Sequence, residues 1–218
     1  MQKINENISE FIGMHVGDGT LYKTQYGKVW ELRGSLDEKE YYIQSVSQLL
    51  EGIFDIKFKP KFRSGGKNGC FGIQTSKKIL TNTLIELGFK TGRKTHTVSI
   101  PDYIKKANNK IKFGFIRGYF DTDGCLRFDG KKIKNYPKIE FCSVSKNLRD
   151  DLFSMLEELS FKGYTWGKKE FKICLAGKEN LEKFMKYVRP KNKKHLNKYF
   201  RWKGYAGMAQ SGTAQSYF

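Results

Sequence analysis

Two aspartates, Asp18 and Asp123, close two related stretches of this 218-residue chain: FIGMHVGDG at 11–19 and IRGYFDTDG at 116–124. Each stretch opens on apolar residues, has a glycine at its third place, ends in an acid–glycine pair and runs on into a strand-like segment. The apolar runs read as helices, so both carboxylates fall at helix C-termini, where exposed carbonyls make a negative charge unfavourable by about 0.3–1 kcal/mol. Breaking that rule twice, and bringing the two ends together, concentrates negative charge that only a cation offsets. The donors are hard oxygens with no His or Cys cluster at ligand spacing, which points to Mg²⁺ rather than zinc. A divalent cation between carboxylates polarises a phosphoryl oxygen, activates water and stabilises a leaving 3′-oxygen. One acid per half gives one hydrolytic site per strand of a duplex. The residues alone leave a second reading of equal standing, in which each aspartate caps a tight Asp-Gly turn before its strand.

Positioning two such ends side by side needs close helix packing. Gly13 and Gly17 lie four apart on one helical face, and Gly118 and Thr122 take the same places in the second stretch. Small residues at that spacing let two backbones approach about a pseudo-two-fold axis.

The remaining elements repeat in order. After Asp18, TLYKTQYGKVWELRG reads as two strands. DEKEYYIQSVSQLLEGIF follows as a helix, with Tyr42, Ile43, Val46, Leu49, Leu50 and Phe54 at helical period. DIKFKPKFR and CFGIQT form a strand pair around SGGKNG. SKKILTNTLIELGF is a helix burying Leu80, Leu84, Ile85 and Leu87, stopped by Gly88. The second half repeats this with CLRFDG and YPKIEFCSV, SKNLRDDLFSMLEELS, GYTWG and EFKICLA, then GKENLEKFMKYV. TVSIPDYIKKANNK reads as the linker, dividing the chain into repeats 1–104 and 105–218, and the C-terminal KGYAGMAQSGTAQSYF carries no period. A long-period repeat of two units fits pseudosymmetry and not a solenoid.

Composition narrows the partner. Lys and Arg number 41 against 22 acids, a net charge of +19, which calls for a polyanion. The start MQKINENISEF has no basic amphipathic helix or lipidation signal, so nucleic acid is expected and not a membrane. No apolar run approaches the roughly 18 residues of a membrane span and no signal peptide opens the chain, which leads us to expect an intracellular protein. Cys70, Cys125, Cys142 and Cys174 show no CxxC spacing and are expected to be ordinary buried thiols.

FIGMHVGDG and IRGYFDTDG together resemble the signature helices of the LAGLIDADG homing endonucleases, in their single-chain, two-motif form. The repeat extends the resemblance to about residue 203. It implies an α+β fold of two pseudosymmetric αββαββα repeats, whose two antiparallel sheets form a DNA-binding saddle. It also implies a monomer that cleaves double-stranded DNA at a long site, with Mg²⁺ as cofactor, Mn²⁺ as a substitute, and Ca²⁺ supporting binding without cleavage. In the family the last acid of each motif holds metal, which places Asp18 and Asp123 there, with the carbonyls of Gly17 and Thr122 as additional ligands. A basic residue stands near each metal site in the family; here these are Lys94 and Lys194, with Lys193 a close competitor. Val16 departs from the family pattern at a place that is not a ligand, His15 reads as a packing residue, and Asp121 as support for the helix junction. Polar residues leading into the first helix of a unit correspond to Ser145 and Lys146, and less obviously to Ser35 and Leu36. A mobile intron is the expected host because no self-splicing segments flank the repeats, with intein origin left open. The rival reading is an intron-RNA maturase, or a DNA-binding regulator of the same fold that has lost cleavage.

Strand residues facing the major groove, about 12 Å wide, are the expected readers: Lys23, Gln25, Glu31 and Arg33, then Arg127, Lys138 and Glu140. Alternation places Lys23 and Gln25 on one side and Tyr22 toward the core. Arg63 and Lys67, and Lys131 and Lys132, sit in hairpin runs suited to phosphate contacts. Trp30, Trp166 and Trp202 are expected as core or sheet-edge anchors.

Overall fold

The computed structural model describes residues 3–64, 69–129, 136–168 and 170–204. Lys67, Lys131 and Lys132 lie outside these residues, as does the C-terminal stretch from 205.

The two motif helices form the centre. Helix α1 (Glu6–Val16) begins at Asn5, whose Oδ1 accepts from Ile8 N at 2.9 Å. The longer α6 (Asn109–Asp123) begins at Asn108, capping Ile111 N at 3.2 Å. Both caps satisfy an N–H that the first helical turn leaves unpaired. The helices touch backbone to backbone: a Cβ added at Gly13 would stand 2.1 Å from Phe115 O, and one at Gly118 would stand 2.0 Å from Glu10 O. The two glycines are thus the reciprocal contact points of the pair. Arg117, on α6, reaches across to Glu10 Oε2 at 2.8 Å and Glu6 Oε1 at 2.7 Å, and donates to Val188 O at 3.0 Å. Lys191 Nζ adds a bond to Glu10 at 2.8 Å. A buried charge is tolerated when partnered on this scale, and losing one partner strands the other.

Each motif helix leads into a four-stranded antiparallel sheet. The first contains β1 (Thr20–Thr24), β2 (Gly27–Gly34), β3 (Lys61–Arg63) and β4 (Cys70–Thr75), in the order β1-β2-β4-β3. The second contains β5 (Gly124–Asp129), β6 (Tyr136–Ser143), β7 (Tyr164–Trp166) and β8 (Phe171–Ala176), in the matching order β5-β6-β8-β7. Helices back one face of each sheet. In the first half these are α2 (Lys39–Tyr41), a π-helical stretch Tyr42–Val46, α3 (Ser47–Phe54) and α4 (Lys78–Glu86); in the second, α7 (Lys146–Glu158), α8 (Lys178–Tyr187) and α9 (Lys193–Trp202). The first core gathers Phe11, Met14, Leu21, Trp30, Leu32, Leu50 and Leu84; the second gathers Ile12, Phe115, Phe120, Leu126, Phe141, Leu152 and Phe184. Helix α1 supplies both, which is why it is buried on all sides from Ile8 to Val16. The fold is α+β with two pseudosymmetric halves.

Several local expectations change. The segment between the halves carries a short helix, α5 (Asp102–Lys105), and sinks Ile100 and Ile104 into the second core. Ile85 and Ile43 face solvent, 38% and 45% exposed, because α4 and the π stretch turn only one side to the sheet. Of the cysteines only Cys174 is buried. Cys70 is intermediate and Cys125 and Cys142 are exposed, the latter two because their strand positions alternate away from Leu126 and Phe141.

Candidate active site

The site lies where α1 and α6 end. Asp18 follows the last turn of α1 and Asp123 is the last residue of α6. Both side chains reach solvent, yet the converging backbones strip water from one side of each. That desolvation raises both carboxyls above the usual range. At Asp18 the neighbouring charge of Asp123 and then that of Glu38 add to it, and the group is pushed up to about 7 despite Lys194 and Lys94 nearby. At Asp123 desolvation again comes first, opposed by the two lysines. The negative charge of Asp123 thus reaches Asp18, as when two acids share a site.

A lysine anchors each helix end. Lys94, in the loop after α4, donates from Nζ to Val16 O at 2.6 Å and Gly17 O at 2.7 Å. Burial lowers its ammonium to about 8 against the opposing pull of Asp123 and Asp18. Lys194, in the first turn of α9, donates to Thr122 O at 3.2 Å and to Glu38 Oε1 at 2.8 Å. Lys193 instead pairs with Glu40 on the outside. Of the two neighbours, Lys194 reaches the end of α6 and Lys193 does not. Neither α9 nor Glu38 was anticipated from sequence. Glu38 carried a legible signal, since Ser35-x-x-Glu38 has the spacing of a capping box, and its Oε2 accepts from Ser35 N at 2.9 Å. Burial works against its charge, but the bonds from Lys194, Ser35 and Asn192 outweigh burial and hold its carboxyl below the usual range.

Asp121 and His15 serve packing. Asp121 accepts from Lys191 N at 2.8 Å and Asn192 N at 3.2 Å, tying α6 to the segment that presents α9. His15 Nδ1 accepts from Trp30 Nε1 at 3.2 Å, and burial pushes its pKa down to about 3. Ser145 caps α7 through Leu148 N and donates to Val98 O at 2.6 Å, so it too is structural.

The donors fit a hard divalent cation. Two carboxylates flanked by helix-end carbonyls are all oxygen, and among the described residues neither carboxylate hydrogen-bonds to a protein group. No cluster of three or more His, Cys, Asp or Glu is found among the described residues. A cation here would keep waters or take phosphate oxygens, as Mg²⁺ does.

Register sorts the expected readers. Leu21 pairs with Trp30 and Leu32 with Ile73, all on the helix side. Glu31, Arg33 and Gln74 therefore face the open side, where Arg33 Nε meets Glu31 Oε1 at 2.5 Å. Tyr22 and Lys23 reverse their expected places. Tyr22 stands on the open side, accepting from Gln74 Nε2 at 2.5 Å and donating to Glu31 Oε2 at 3.4 Å. Lys23 alternates with Leu21 onto the helix side, opposite Lys28, which bonds Asn82 of α4. Gln25, in the β1–β2 turn, lines a hollow of about 680 Å³ on this face with Tyr22, Thr24, Val29 and Gln74. Arg63 is exposed on β3. In the second sheet Arg127, Lys138 and Glu140 share the open face, with Arg127 bonded to Glu140 at 2.7 Å. Trp30 is core and Trp202 stacks on Phe128. Trp166 is 45% exposed on edge strand β7, with Lys172 Nζ 4.7 Å from its ring centroid.

Comparison with known proteins agrees with this architecture. Residues 110–189 match a LAGLIDADG-like domain. The crystal structure of I-DmoI in complex with DNA and Mn superposes with a TM-score of 0.60 at 15% identity, covering 85% of this chain and 97% of that one. The homing endonuclease I-WcaI bound to its DNA recognition sequence gives 0.62 at 14% identity, covering 87% and 83%. The chain therefore shares the fold of these two structures, and its residues 110–189 are similar to a LAGLIDADG-like domain. Curated relatives from Methanocaldococcus jannaschii include an uncharacterized protein, 29% identical over 163 residues, and a replication factor C small subunit, 28% identical over 201 residues. These matches cover 72% and 86% of this chain but only 17% and 10% of the relatives. The chain thus spans less than a fifth of their length. No helix among the described residues is long and apolar enough to cross a membrane.

Proposed function

We propose that this chain is a site-specific double-strand DNA endonuclease that hydrolyses phosphodiester bonds with a divalent metal, Mg²⁺ or Mn²⁺, and binds without cutting in Ca²⁺. The observation that carries the reading is the convergence of Asp18 and Asp123 at paired helix ends, each end held by a lysine on its own backbone carbonyls. Asp18 and Asp123 would hold the cation; Gly17 O and Thr122 O, the other expected ligands, accept from Lys94 and Lys194 here and would join only with those ammonium groups displaced. When bound the cation would supply Lewis acidity toward the phosphoryl group and a water of lowered pKa. Lys94 and Lys194, whose ammonium groups lie at the same helix ends, would stabilise charge developing on the phosphoryl oxygens. The open sheet faces supply the duplex platform, with Tyr22, Glu31, Arg33 and Gln74 in one half and Arg127, Lys138 and Glu140 in the other. Arg63, Lys67, Lys131 and Lys132 would serve as phosphate contacts. The net charge of +19 favours a duplex across both sheets. Two half-sites in one chain support action as a monomer.

The curated relatives have unrelated names and match over a small part of their length, which supports a module carried as an insertion within different hosts. The test is incubation of purified protein with a randomised duplex library in Mg²⁺ and in Ca²⁺, sequencing the cut ends. Staggered cuts on both strands at one long site, in Mg²⁺ only, are expected. Binding of intron RNA with no cut DNA would favour the maturase reading instead.

A further inference from the structure

The two half-sites are not equivalent, and the difference is written at one carboxylate. Serines 35 and 145 each precede the helix that follows the second strand of their half. Three residues on stands Glu38 in the first half and Leu148 in the second. Glu38 turns inward, its side chain 11% exposed. Gly34 leaves room for it, since a Cβ there would stand 2.4 Å from Glu38 Oε2. Its Oε1 accepts from Asn192 Nδ2 at 2.7 Å and Lys194 Nζ at 2.8 Å, while Oε2 accepts from Ser35 N at 2.9 Å. Asn192 also donates to Asp121 O at 2.9 Å and, through its own Oδ1, caps Lys194 N at 3.1 Å. The ammonium that touches Thr122 O is thus fixed from the other half of the molecule. Lys94 has no such tether: it is held by carbonyls of α1 alone, and no carboxylate hydrogen-bonds to it among the described residues.

We propose that Glu38 is a positioning residue for Lys194, so that the two DNA strands are cut through unlike half-sites, only one of which depends on a carboxylate lent by the opposite repeat. This rests on the endonuclease reading above. A flexible four-carbon side chain gains from being held in one place, because a misplaced group forfeits much of its rate benefit. The loss should therefore appear in the chemical step of one strand and not in binding.

The experiment is a strand-resolved nicking assay on the selected target, each strand end-labelled, with affinity measured separately in Ca²⁺. Glu38→Ala should slow one strand by about tenfold and leave the other strand and the affinity within about twofold. Lys194→Met should slow the same strand, and the double variant should be no slower than Lys194→Met alone, as for residues acting as a unit. Glu38→Gln, which keeps an acceptor for Lys194, should recover most of the rate and serves if the alanine variant folds poorly. Equal slowing of both strands, additive losses, or full activity in both Glu38 variants would overturn the assignment of Glu38 alone. Wild-type protein that cuts neither strand would overturn the endonuclease reading itself.

Discussion

At the scale of single residues, the helix-end pair Asp18 and Asp123 was legible because each breaks a local electrostatic rule in the same sequence context. Lys94 was legible only through family resemblance, since nothing in GFKTGRKTHTVSIP distinguishes it from its basic neighbours; contact with Val16 O and Gly17 O singles it out. Replacing Lys94 by Met should slow single-turnover cleavage by about tenfold or more while changing affinity in Ca²⁺ by less than about threefold. Equal losses would make it a phosphate contact. His195 gives a second residue-level outcome. It is buried against Phe120, ring centroids 4.3 Å apart, and desolvation, with Lys194 and Lys198 adding to it, holds its pKa well below the ordinary value. A histidine whose folded pKa is depressed is protonated only on unfolding, so stability is lost as pH falls below its unfolded value of about 6.5. Between pH 6.5 and 5.5, urea unfolding of wild type should lose about 1 kcal/mol more than His195→Phe. Parallel losses would show that His195 does not titrate on unfolding.

At the scale of elements, the paired helices were read correctly from Gly13 and Gly118 because backbone contact demands residues without a Cβ. Adding one at Gly118 would set it 2.0 Å from Glu10 O, backbone that cannot step aside. Gly118→Ala should cost roughly 3 kcal/mol in urea unfolding, toward the upper end for overpacking, whereas Gly52→Ala, with open space around the site, should not destabilise. A Gly118→Ala protein of wild-type stability would contradict the close approach. The sheets were legible as strand pairs, but the facing of β1 was not. Leu21 and Trp30 form a cross-strand core pair, and a register shifted by one residue sends every side chain to the other face, so Tyr22 went outward and Lys23 backward together. Helix α9 was missed because KKHLNKYFRW buries His195, not an apolar residue, as its one fully buried side chain. The π-helical stretch Tyr42–Val46 has no sequence signature of its own, since it preserves the apolar residues of an α-helix while rotating Ile43 to solvent.

Across the whole molecule, the two halves are pseudosymmetric but not identical. Strand order repeats between the halves, the contact glycines Gly13 and Gly118 correspond, and both lysines act on Asp18 at the helix ends. The halves differ in what holds those lysines: a loop on one side, a helix tethered across the molecule by Asn192 and Glu38 on the other. The repeat was visible in sequence because element order and the acid–glycine motifs recur. The tethers were not, because they join residues more than 150 positions apart. If Asp18 and Asp123 form the hydrolytic centre proposed above, Asp18→Asn and Asp123→Asn should each abolish cutting of the selected duplex in Mg²⁺. Double-strand cleavage should fall by at least about a thousandfold in each, with affinity in Ca²⁺ kept within about tenfold. Wild-type cleavage by either variant would contradict that assignment.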